Sequence, residues 1–88
     1  MKKGKTSTGF AFTLADNVLD DMELLEELVD IDNGNRTALP GVVRRLLGDD
    51  QKKKLYDHCR GEDGRVPVSR VGQELTEIFG AFEQSKKS

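Results

Sequence analysis

The chain has 88 residues, of which 35% are hydrophobic and 34% charged, with four Phe, one Tyr, no Trp and a formal net charge of −2. A chain this short has material for one small core, so residues 1–88 are expected to form a single domain with 1–5 and 83–88 as disordered tails. A lone cysteine excludes an intrachain disulfide, and no apolar run reaches the roughly 18 residues that span a bilayer. With no hydrophobic signal core after Met1-Lys2-Lys3, a soluble cytoplasmic protein is expected.

The small net charge hides a strong division along the chain. Residues 1–14 carry +3, residues 15–32 carry −8, residues 33–70 carry +4 and residues 71–88 carry −1. Such asymmetry predicts that segments of opposite sign meet in the fold or across a subunit contact, against the simpler alternative of two solvated faces that never touch.

In chain order, the first pattern is the alternation of Phe10, Phe12 and Leu14 with Gly9, Ala11 and Thr13, the period of a half-buried strand. Ser7-Thr8-Gly9 can turn the chain back on Lys3–Thr6 as a hairpin; alternatively the strand edge pairs with another copy. Asp16–Asp32 then carries eight carboxylates and no basic residue, and reads as about five turns of helix capped by Asp16 or Asn17. At about 100° per residue, Val18, Met22, Leu24, Leu25, Leu28, Val29 and Ile31 form a buried face, with Asp20, Glu23, Glu26, Glu27 and Asp30 opposite. Gly34 or Asn33 ends this helix.

Thr37 can cap a second helix from about Ala38 to Leu47, ended by Gly48, and Asp49 a third from about Asp50 to Arg60. After a Gly61–Gly64 turn, Pro67 or Ser69 starts the last helix. Its Val68, Val71, Leu75, Ile78 and Phe82 follow 3,4,3,4 spacing, and Phe79 widens the stripe. The fold expected is mainly α: about four short helices packed as a small bundle, preceded by a short N-terminal β-strand or hairpin.

Motif chemistry points away from catalysis. The carboxylates of Asp20, Glu23, Glu27 and Asp30 share a helix face but match no di-metal pattern and read as solvated. Placing a calcium-loop glycine at Gly34 or Gly64 puts Val29 or Cys59 at the first ligand position, which rules out an EF-hand. His58-Cys59 diverge by about 100° on a helix and lack the further ligands a zinc site needs, so they read as a packed cysteine and a surface histidine. The cluster from Arg36 to Arg70 suggests nucleic-acid binding only superficially, because the acidic helix opposes phosphate. No phosphate loop, dinucleotide fingerprint or nucleophile elbow is present, so no enzyme, metal or cofactor is expected.

Three patterns stand out between Asp20 and Phe79: an acidic D-x-E-L-L-E-x-L helix ending in a D-x-G-N loop, then ALP-x-VV-x-x-LLG-x-x-Q, then L-Y-x-H-x-R-x-E-D-G-R-V-P, with Gly9-Phe10-Ala11-Phe12 as strand entry. This run resembles the tail assembly chaperones of long-tailed bacteriophages and prophages of Gram-positive hosts. The resemblance implies a non-enzymatic protein of the host cytoplasm, with no cofactor and absent from the mature virion. It implies that the chain keeps the tape measure protein soluble and helps recruit tail-tube protein around it. A client helix would lie in a groove between the first and last helices, with Leu24, Ile31, Phe79 and Phe82 as candidate contacts. Glu23, Glu27 and Asp30 against Arg44, Arg45, Lys52 and Lys53 are the candidate charge pairs, within or between copies of a possible homo-oligomer. The alternatives are a virion structural or head–tail connecting subunit and, less favoured, a small nucleic-acid-binding module.

Overall fold

The computed structural model describes the backbone of residues 1–86 and the side chains of residues 1–81. The Phe10–Leu14 alternation becomes one arm of an antiparallel hairpin, in which β1 (Lys2–Lys5) pairs with β2 (Ala11–Leu14) in the register Lys2↔Leu14 to Lys5↔Ala11. Residues 2–5, expected to fray, are thus ordered as a strand. The reason lies across the ladder: the Phe12 ring covers Gly4, where a Cβ would collide with it. Both hairpin edges are protected from further pairing. Exposed lysines Lys3 and Lys5 line β1. On β2, the Gln51 amide accepts from Thr13 N and donates to Thr13 O, each at 2.7 Å. A strand partner for β2 is therefore present in the same chain.

The acidic helix is shorter than expected. Ala15–Asp20 forms successive turns, with Val18 N donating to Ala15 O at 3.1 Å and Asp20 N to Asn17 O at 3.0 Å. α1 (Met22–Asp32) starts only after Asp21, whose backbone is extended and whose Oδ1 accepts from the free N–H groups of Glu23 and Leu24 at 2.9 and 3.2 Å. Gly34, at φ +94°, supplies the left-handed residue that ends it. A 3₁₀ turn over Arg36–Ala38, capped by Asn35, leads into α2 (Leu39–Cys59). Pro40 sits where its missing N–H costs nothing.

Among the described residues there are three α-helices where four helices were expected. The second and third follow one another directly as the two arms of α2, which is broken by a kink at Gly48 (φ 81°, ψ 167°), the position where an interruption was expected. That conformation is open almost solely to glycine. α3 (Val68–Lys86) follows and continues past Phe82, where the polar tail was expected to begin. Residues 87–88 of that tail lie outside the described residues.

One continuous core joins the elements. The hairpin contributes Phe10, Phe12 and Leu14, α1 Leu24, α2 Val42, Val43, Leu46, Leu47, Leu55 and Cys59, and α3 Val71, Leu75 and Ile78. α1 packs on α2 and on the 3₁₀ turn, while the hairpin packs on α2 and α3. Among the described residues the backbones of α1 and α3 do not approach closely, and that separation leaves the groove described next.

Candidate protein-binding surface

The groove lies where the end of α1 and the starts of α2 and α3 converge. Ile31, Leu39 and Val68 line a depression of about 230 Å³ with Ser69 and Gly72 at its margin. A second, of about 200 Å³, shares Leu39 and Val68 and adds Pro40, Tyr56, Val66 and Val71. Arg36 borders both. Val68 was expected inside the last helix's apolar stripe but is 50% exposed, because the stripe that is buried begins one turn later at Val71. Burial pushes the Tyr56 phenol above its ordinary pKa, and Lys52 Nζ sits 5.6 Å from its ring centroid. The groove is therefore lined mainly by apolar side chains with the Arg36 cation beside them, able to seat an apolar side chain flanked by an acid or amide.

Of the three candidate partner contacts whose side chains are described, Ile31 alone lines this groove. Leu24 is 1% exposed and belongs to the core, so it is corrected from contact to scaffold. Phe79 is half-buried against the core, and the side chain of Phe82 lies outside the described residues. Residues not singled out from sequence, Leu39 and Val68, share both depressions. A signal for Val68 was its place directly after Pro67, in the first turn of a helix, where side chains have less of the helix around them.

α1 also differs from its expected two-sided division. Leu24, Leu28 and Ile31 face inward, whereas Met22, Leu25 and Val29 are 69%, 53% and 50% exposed. Glu27, expected on the solvated side, turns toward α2 and lies against Gly41. Arg45 gathers the acids of α1: its Nε donates to Glu27 Oε1 at 2.8 Å, and its terminal nitrogens lie 3.2 Å from Glu23 and 3.9 Å from Asp21. The hydrogen bond to Glu27 and the surrounding carboxylates hold the guanidinium above its already high pKa. The expected pairing of Glu23 and Glu27 with Arg45 thus occurs within one chain. Arg44 instead meets Asp49 at 3.5 Å, and Lys52 lies on Tyr56. Asp30 and Lys53 have no ion pair among the described residues.

Elsewhere, α3 grips the hairpin turn through two carboxylates one helical turn apart. Glu74, 3% exposed, accepts from the Thr6 hydroxyl at 2.7 Å and the Thr8 hydroxyl at 2.8 Å. Glu77 accepts from Ser7 N and Oγ at 2.8 and 2.9 Å. His58 Nε2 lies 2.9 Å from the Thr8 hydroxyl, and its ring tilts on Phe10 with centroids 5.6 Å apart. Cys59 is 3% exposed, and burial pushes its thiol pKa up, with Glu74 adding to the rise and Arg70 opposing it. A protonated buried thiol is a poor nucleophile. These groups fasten the hairpin, and among the described residues no three His, Cys, Asp or Glu side chains gather to hold a metal ion. No helix among the described residues is long and apolar enough to cross a membrane.

Comparison with family models, curated proteins and solved structures finds no match for this chain.

Proposed function

We propose that this chain is a tail assembly chaperone that binds the tape measure protein of its own phage through the groove between α1 and α3. The resemblance over Asp20–Phe79 motivates the reading, and the observation that carries it is the apolar groove joined by Leu39 and Val68. An amphipathic client helix presents apolar residues at three- and four-residue spacing, which suits a surface lined by Ile31, Leu39 and Val68. Each Val- or Leu-sized anchor that it buries contributes about 1.5–3 kcal/mol before association costs of about 4–15 kcal/mol are met. A contact with two or three anchors is weak and reversible, as befits a partner that departs before the virion matures. The role needs no catalytic group or cofactor.

Co-expression with the tape measure protein of the same genome tests this reading. The expected result is that the client becomes soluble and co-purifies, and that proteomics of purified virions finds the chain scarce or missing. A client equally soluble alone, or stoichiometric incorporation of the chain into virions, would favour a structural subunit instead.

A further inference from the structure

Outside the groove, α1 presents a second apolar line that is left exposed among the described residues. Met22, Leu25 and Val29 follow one another at three- and four-residue spacing and are each at least half exposed. They extend over about 10 Å of helix at 1.5 Å per residue. Their surroundings are acidic: Glu26, Asp30 and Asp32 are exposed and have no ion pair among the described residues, and α1 has no basic residue in its last turn. Arg45 does not relieve them, because its contacts are with Asp21, Glu23 and Glu27. Asp30 and Asp32 also sit at the negative end of the helix dipole, which favours an approaching cation.

We propose that the outer face of α1 is a docking surface for a basic amphipathic helix of a partner protein, one whose apolar stripe is flanked by lysine or arginine. The apolar line supplies the contact, and the uncompensated carboxylates select the charge. A second copy of α1 is the wrong occupant: Met22–Asp32 carries five acids and no base, so two such faces would repel. The proposal does not depend on the groove, which lies on the side of α1 that carries Ile31.

The test uses the full chain and three synthetic 18-residue peptides. One carries leucines at three- and four-residue spacing with lysines beside them, the second has the lysines replaced by glutamates, and the third is a scramble of the first. The expected result is binding of the lysine peptide about tenfold tighter than the glutamate peptide, since a few exposed charge contacts together make roughly that difference, and tighter than the scramble, whose leucines no longer share one face. Amide shifts should fall on Met22–Asp32, and affinity should weaken with salt. Leu25→Lys/Val29→Lys should abolish binding. Glu26→Gln/Asp30→Asn/Asp32→Asn, which leaves the apolar line intact, should equalise the lysine and glutamate peptides. Val68→Asp should leave binding unchanged. The proposal is overturned by equal binding of all three peptides, by no binding, by shifts confined to the groove, or by self-association of the chain through Leu25 and Val29.

Discussion

Arg45 Nε lies 2.8 Å from Glu27 Oε1, and the other oxygen of that carboxylate is buried against Gly41 without a hydrogen-bond partner. The pair fixes how α1 crosses the start of α2, and Gly41 is the reason it fits: a Cβ there would occupy the space of the carboxylate.

Gly41→Ala should therefore destabilise the protein by displacing Glu27 from Arg45. In a Glu27→Ala background the same substitution should become stabilising, by up to about 1 kcal/mol, because alanine is the better helix residue. Urea denaturation of the four proteins measures this reversal of sign, and an equal effect in both backgrounds would separate Gly41 from the pair.

Gly48→Ala should cost about 1–3 kcal/mol, since no other residue readily adopts φ 81° with ψ 167°. Thermal unfolding reads the loss directly. A stabilised variant would mean that α2 runs straight.

Neighbouring leucines on α1 should respond differently. Leu24→Ala should cost about 2–5 kcal/mol as a core truncation, whereas Leu25→Ala should stay within about 0.5 kcal/mol. Similar losses at both positions would place the helix in another register.

Stability should fall at alkaline pH. The thiol of Cys59 has its pKa raised in the fold, so it favours folding fully below the unfolded thiol's pKa. Above about pH 8.5 the unfolded chain loses that proton first, and the advantage declines until the folded thiol also ionises. Tyr56, raised by burial as well, adds a further decline above about pH 10. Urea midpoints measured from pH 7 to 10.5 should show this fall, and Cys59→Ala should flatten its first part.

How much of this was legible in the sequence differs by element. The hairpin was readable from Phe10, Phe12 and Leu14 because period-two alternation and a Ser-Thr-Gly turn agree locally. The start of α1 was not, because Asp16, Asn17 and Asp21 are all competent caps, and the choice fell to Asp21 once 15–20 turned back to pack Val18 and Leu19 on the core. Gly48 was legible as an interruption but not as a kink, since the helix resumes only because Leu46, Leu47 and Leu55 share one core. Leu24 and Leu25 are alike in composition and spacing, and which of them is buried is decided by α2. The role of Glu74 was out of reach from sequence, because its partners Thr6 and Thr8 lie 68 and 66 residues away.

The client-binding groove is tested most directly by the amount of tape measure protein that co-purifies with the wild-type chain and with Val68→Asp. Aspartate suits the first turn of α3, so the variant should fold normally while placing a charge in the lining of the groove. The expected result is an unchanged unfolding midpoint with most of the client lost. Equal recovery of the client by a folded Val68→Asp chain would contradict the groove as its binding site.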